Sequence, residues 1–189
     1  MQDIEPHYNW RHIYISEDDA HSPFFGREYS EFEYSNTVYN YYIHPQWDDF
    51  GSRTLYCKII FADYDMQVAI IELIGEWNDA IENDIMTLKY ELLDPMHKKG
   101  IIHFIFIAEN VLNFHSNGKD YYEALFEELN DEGGWAVMLN LSEPAQYEYK
   151  LGKLHNYIEL MQIHEWRVYK PHHLFKKIES IIDQRLDFK

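Results

Sequence analysis

The sequence predicts an α/β fold: a mixed, mostly parallel sheet of about four to six strands, with an antiparallel N-terminal hairpin and helices packed on the sheet. Three observations predict it. Two β-rich runs, "TLYCKIIFA" and "QVAIIELIG", are joined by only "DYDM", and so short a link suits an antiparallel hairpin, since a parallel crossover needs a dozen or more residues. "GIIHFIFIA" is apolar on both faces, the pattern of a central strand covered on both sides. Beyond it, helical and strand patterns alternate to the end of the chain, which implies parallel crossovers.

Residues 1–52 differ from the rest. "FFGREYSEFEYSNTVYNYYIHPQWDDFGS" is dense in aromatics without a helical period, so it is expected to lie across the main domain or a partner. "TVYNYYI" reads as an extended strand, and the turn-rich "HPQWDDFGS" marks a boundary. The expected division is an aromatic-rich extension over 1–52 and an α/β domain over 53–189.

Within that domain the elements follow in order. In "EWNDAIENDIMTLKYELLDP", Ile81, Ile85, Leu88 and Leu92 recur at helical spacing. Asp79 with Glu82 reads as a capping box, and Pro95 as a stop. "GIIHFIFIA" supplies the first central strand. "KDYYEALFEELNDEGG" is an amphipathic helix using Tyr122, Leu125, Phe126 and Leu129, closed by Gly133 and Gly134. "WAVMLNL" is a second central strand. Ser142 suits a helix cap, with Pro144 in the first turn, and Tyr147, Leu151, Leu154 and Ile158 form the stripe of that helix. "QIHEWRVY" alternates like a half-buried strand. Pro171 opens a last helix carrying Leu174, Ile178, Ile181 and Ile182.

Composition narrows function. Hydrophobic content of 46% supports a full core. The 33 acidic residues outweigh 16 basic ones, for a formal charge of −17. That field repels nucleic acid and anionic lipid surfaces alike. Cys57 is the single cysteine, which excludes an internal disulfide and suits a reducing compartment. "MQDIEPHYNW" lacks the basic and apolar regions of a signal peptide, and no apolar run approaches the roughly 20 residues that span a bilayer. A soluble, cytoplasmic protein is expected.

Three landmarks carry a family resemblance: the strand and corner "IIELIGEWND", the turn "NFHSNG", and "WAVMLNLSEPAQYEYKLGKL", a strand, corner and helix. Over roughly residues 66–189 the chain resembles a STAS domain, the fold of bacterial anti-sigma-factor antagonists and of sulfate-transporter tails. The N-terminal extension has no counterpart. The resemblance implies a non-catalytic regulatory domain that binds a protein partner. In the antagonists a serine in this turn is phosphorylated by the anti-sigma kinase, which releases the partner; Ser116 stands at that position. His115 replaces the preceding aspartate, Asn117 the second hydroxyl, and Asn78 the aspartate that usually ends the first corner.

Ligands in open α/β sheets bind beyond the carboxyl ends of strands. Three ends are polar here: Glu76 with Asn78 and Asp79, Glu109 with Asn110, and Asn140 with Ser142. The loop Asn110–Gly118 adds Asn113, His115, Ser116 and Asn117. Side by side, these residues form a common rim, the expected interaction surface, with Ser116 the candidate phosphoacceptor. The competing structural account makes Asp79 and Ser142 helix caps and Asn113 and Asn117 turn residues. Glu76 and Glu109 are the one carboxylate pair placed for acid–base work. No nucleophile elbow, phosphate loop or dinucleotide fingerprint is present. The eleven histidines lack ligand-like spacing, so no metal, cofactor or catalytic residue is expected. The expected partners are a protein and, through the aromatic extension, a second copy of the chain. The alternative is a small-molecule-binding or hydrolase-like protein using the same strand ends.

Overall fold

The computed structural model describes residues 2–30, 32–34, 36–38 and 41–186. A small sheet lies in the N-terminal segment: β1 (Gln2–Ile4), β2 (Thr37–Val38) and β3 (Tyr41–Ile43), in the order β1-β3-β2. The main sheet has five strands in chain order: β4 (Leu55–Asp63), β5 (Val68–Asn78), β6 (His103–His115), β7 (Trp135–Leu139) and β8 (Glu159–Met161). β4 pairs antiparallel with β5, and the other neighbours pair in parallel. This is the mixed, mostly parallel sheet with an antiparallel hairpin that the sequence predicts. In the hairpin turn, Asp63 Oδ1 accepts the N–H groups of Asp65 (3.0 Å) and Met66 (2.9 Å), a side-chain turn that closes the short link.

Two apolar layers sandwich the sheet. On one face Phe104, Phe106, Leu73 and Trp77 pack against α1 (Asp84–Leu88), α2 (Asp94–His97), α3 (Asp120–Asp131) and α4 (Glu143–Leu151). On the other, Ile70, Ile105, Ile107 and Val137 pack against α5 (Pro171–Leu186), with Trp10 and Trp166. β5 and β6 are buried on both faces because each face has its own cover, which is why their sequences are continuously apolar.

Several local expectations are corrected. The helix after β5 begins at Asp84 and not at the Asp79 corner, and Ile81 is 76% exposed. The helical path passes Pro95 and ends at His97. It does so through a wide π-type turn, Lys89–Leu93, which relieves the clash of a proline ring with the carbonyl four residues earlier. α4 stops at Leu151 because Gly152 and the left-handed Lys153 break it. Tyr147 and Leu151 therefore face solvent, and Leu154 and Ile158 reach the core from a new turn with a new phase. Phe126 is partly exposed and leans on Tyr157. "QIHEWRVY" is not a strand: Ile163 and Trp166, three apart, are buried and Val168 is exposed, with Trp166–Val168 a 3-10 turn. "TVYNYYI" folds back on itself, Thr37 opposite Tyr42, so that Val38 and Ile43 both enter a cluster with Trp47, Tyr56 and Ile74; Tyr39 and Asn40 lie outside the described residues.

Gly75 shapes the end of β5. Its φ is +120°, and a Cβ there would overlap the carbonyl oxygen of Thr54, the residue before β4. Both facts demand glycine. Gly75→Ala is expected to destabilise the chain by about 3 kcal/mol or more, read as a lower urea midpoint; an unchanged midpoint would contradict this account of the corner.

Candidate functional site

β5 and β6 run on together beyond β7, with β4 still beside β5 as far as Gly75. β7 ends at Leu139, paired with Ile107, whereas β6 continues to His115, paired with Asn78. The stretch expected to be a loop from Asn110 is thus strand as far as His115. Two irregularities, between Glu72 and Ile74 and between Gly75 and Glu76, let β6 carry extra residues. They set Asn110 opposite Ile74 and Asn113 opposite Glu76, so Asn113 is a strand residue and not a turn residue. His115 Nε2 lies 3.2 Å from Glu76 Oε1, with the imidazole half exposed. The turn then follows, with Gly118 at φ +81° before α3.

Ser116 is half-buried at the start of that turn, and Asn117 beside it is exposed. A Cβ on Gly152 would lie 2.9 Å from Ser116 Oγ. Gly152 has an ordinary φ of −70°, so a side chain there would be met by the Ser116 hydroxyl and the Leu154 side chain and not by backbone strain. Lys119, the N-cap residue of α3, makes no side-chain cap; its Nζ lies 3.2 Å from Tyr157 Oη and 3.7 Å from Glu123 Oε2.

Behind the rim, the other polar residues hold the corner together. Asp79 is buried and accepts from Trp77 Nε1 (2.9 Å), the Ile85 N–H (2.9 Å) and Tyr122 Oη (2.5 Å). Burial pushes its carboxyl upward against those three donors. Asn78 Oδ1 accepts the Ile81 N–H, and the Asn78 N–H goes to Asp84 Oδ2 at 2.6 Å. Asp79 thus clamps three segments in place of the expected capping box with Glu82. Asn140, at φ 58°, exchanges two hydrogen bonds with the backbone of Ile163, at 2.7 and 2.9 Å. Ser142 occupies the N-cap position of α4, but its hydroxyl makes no cap; the oxygen is buried and unpartnered among the described residues.

The structure therefore brings Glu76, Asn113 and His115 together, with Ser116 and Asn117 next along the chain, and sets Asn78 and Asp79 behind them. Glu109 belongs elsewhere: it accepts from Trp166 Nε1 (3.2 Å) and forms an ion pair with Arg167. Glu76 lies beside His115 instead, so the two carboxylates are engaged by different partners.

A second polar cluster escaped the sequence reading. Glu72, 1% exposed in the middle of β5, accepts the His7 N–H at 2.7 Å. Arg167 lies 3.7 Å from Glu72 while bound to Glu109. The His7 ring sits edge-on between Trp10 and Trp166, at 4.9 and 4.8 Å. Burial pushes Glu72 up to about 7, helped by Glu109 and opposed by the His7 N–H and Arg167. Burial and Arg167 pull His7 down to about 4. The available signal was a lone carboxylate inside the apolar run "IIELIG". Among the described residues, no group of three or more His, Cys, Asp or Glu is placed to hold a metal ion, and no helix is long and apolar enough to cross a membrane.

A layered α/β domain whose two central strands end in an exposed polar turn is the class that this geometry defines. Among solved structures, the chain is similar to the unphosphorylated form of the anti-sigma factor antagonist SpoIIAA: TM-score 0.49, 13% identity, 66% of this chain and 96% of that one. It is also similar to the phosphorylated form of SpoIIAA, a Bacillus cell fate determinant, at TM-score 0.44, 13% identity, and 65% and 98% of the two chains. The protein TM1081 follows at TM-score 0.40, 14% identity, and 68% and 89% of the two chains. No protein-family model matches the sequence, and no curated protein matches it.

The buried carboxylate has a measurable signature. Glu72 titrates near 7 when folded and near 4.5 when unfolded, so the folded state holds the extra proton between those values and stability falls as pH rises through them. His7 has the opposite sign: its folded value near 4 lies below the ordinary 6.5, so stability falls as pH drops through that window. The two oppose each other between about 4.5 and 6.5. Glu72→Gln removes the first contribution alone. The stability of this variant relative to the parent chain is expected to climb by roughly 3 kcal/mol from pH 4.5 to above 7, measured by urea denaturation; a difference independent of pH would refute the assignment.

Proposed function

We propose that this protein is a non-catalytic, STAS-like regulatory domain of the cytoplasm that binds a protein partner through the rim formed by Glu76, Asn113, His115, Ser116 and Asn117. One observation carries the reading: Ser116 stands on the turn leaving the central strand β6, flanked by the exposed His115 and Asn117, while Asp79 is engaged in holding the corner and Glu109 is held away from it. Asp79 is spent on three donors and Glu109 on Arg167. Carboxylates so occupied suit a scaffold better than proton transfer.

Ser116 is the phosphoacceptor in this proposal. A phosphate adds about 1.5–2 negative charges and three acceptors. The uncapped first turn of α3 and Lys119 favour it, and Asp120, Glu123 and Glu76 oppose it. The hydroxyl sits where even one added carbon at position 152 would crowd it. A phosphate in that seat forces the turn away from α4 and so changes the face a partner reads. Residues 1–52 serve as an extension to the 53–189 domain, and exposed Phe32, Tyr34 and Tyr42 offer a second copy an aromatic surface.

Affinity capture from the native cell with mass spectrometry tests this on the full chain. Proteins retained by the parent and by Ser116→Ala are expected to fall at least tenfold with Ser116→Glu, with the unfolding midpoint unchanged, and Ser116 is expected among the mapped phosphosites. Equal retention by all three forms overturns the proposal.

A further inference from the structure

The five-stranded sheet has two edges, and among the described residues only one is closed. At β4, Asp48 exchanges two backbone hydrogen bonds with Cys57, at 2.7 and 3.0 Å. At the other edge, β8 ends the order of strands. Its pairing shows which groups face outward. The Asn140 N–H donates to the Met161 carbonyl at 3.0 Å, and the Asn140 side chain holds both backbone groups of Ile163. Met161 and Ile163 are thus turned toward β7. By the alternation of a parallel ladder, Leu160 and Gln162 turn their N–H and C=O groups away from it. Ile158 is already taken: its carbonyl accepts from Tyr149 Oη and its N–H donates to Leu154. The open edge is therefore residues 160–162, a template for one more strand.

That edge is the floor of a groove of about 340 Å³. Gln146 and Lys150 of α4 form one wall, and Ile181 and Arg185 of α5 the other. A second β8, walled in by the same helices, cannot enter; a single extended segment can. The walls ask for different side chains. On the α4 face, which the Leu160 side chain shares, Lys150 is exposed and makes no ion pair among the described residues. On the α5 face, Met161, Ile163 and Ile181 form an apolar surface, and Arg185 is committed to Glu159. Strand side chains alternate between faces, so the groove fits an acid next to an apolar residue.

This chain carries such a segment. Phe32, 85% exposed, is the most exposed large apolar side chain among the described residues. Glu33 beside it is exposed and makes no ion pair among them. One hydroxyl, Ser30 Oγ, holds both of their N–H groups, at 3.2 and 3.0 Å. Tyr34 meets the rings of Tyr42 and His44, and the chain runs on from there through Trp47 and Asp48 along β4. Within one copy, the segment thus sits across the sheet from β8.

We propose that a second copy of the chain lays Phe32 and Glu33 into this groove as a sixth, antiparallel strand. Glu33 exchanges backbone bonds with Leu160 and sets its carboxylate toward Lys150, while Phe32 lies opposite Met161 and covers Ile181. The proposal rests on the reading of residues 1–52 as a surface for a second copy, and it names the receptor. Because donor and receptor stand at opposite edges, the contact is head-to-tail.

Sedimentation velocity on the full chain, in about 0.15 M salt, reads the assembly. The mean mass is expected to rise with concentration past that of two chains. Lys150→Glu and Glu33→Lys each set like charges against one another and are expected to weaken association at least tenfold. An equimolar mixture of the two variants is expected to restore it, because each copy's segment then meets the opposite charge in the other's groove. Both side chains are exposed, so neither change disturbs packing. Loss of association with Phe32→Ser but with neither charge reversal overturns the groove and leaves the aromatic surface standing. A mixture no stronger than its components overturns the proposal, and a single-chain mass at every concentration overturns both readings.

Discussion

The parallel pairing of β5 with β6 is the constraint on which the rest of the molecule depends. It is the longest ladder, from Val68 opposite His103 to Asn78 opposite His115. Every other layer is built against it: α1, α3 and α4 with Phe24 and Phe50 on one face, α5 with Trp10 on the other. Its two irregularities decide which residues reach the rim. With regular pairing throughout, Val111 and not Asn113 would face Glu76, because the two irregularities together advance β6 by two residues. The polar turn is therefore a product of the ladder's imperfections as much as of its sequence.

Burial on both faces of the ladder also explains its one severe conflict. Glu72 occupies a central position in β5 where the sequence otherwise supplies isoleucine and leucine. Its charge is expensive there, and the chain answers with the His7 N–H and the Arg167 guanidinium, one from each end of the sequence. The same solution recurs at Lys58 on β4, held by Glu17 and Asp48. Both buried charges draw on residues 7–48 for their partners, so the N-terminal segment supplies electrostatic closure as well as apolar cover.

The strands and the order of elements were legible because they rest on hydrophobic period, which burial on a sheet imposes directly. "GIIHFIFIA" and "WAVMLNL" became β6 and β7 for that reason. What failed was phase across a break. Tyr147 and Leu151 share a period with Leu154 and Ile158, but Gly152 and Lys153 intervene and reset it. The corner was misread differently: Asp79 followed by Glu82 has the spelling of a capping box, yet Tyr122 and Trp77 claim the Asp79 carboxylate from elsewhere in the fold. At the rim, Ser116, Asn117 and the turn at Gly118 were readable, whereas the neighbourhood of Glu76 and Asn113 depends on strand irregularities that no residue pattern announces. Glu109 was assigned to the rim by its place after an apolar run; its partners Trp166 and Arg167 come from a turn that the pattern mistook for a strand.

The bond from Trp10 Nε1 to the Tyr169 carbonyl, 159 residues away in sequence, has a consequence for biogenesis. The groove that receives Trp10 and His7 is lined by Trp166, so it does not exist until the chain has been made at least as far as Trp166. Trp10 is therefore synthesised well before its seat exists. Until then its indole stays in water, the condition in which nascent chains attract chaperones.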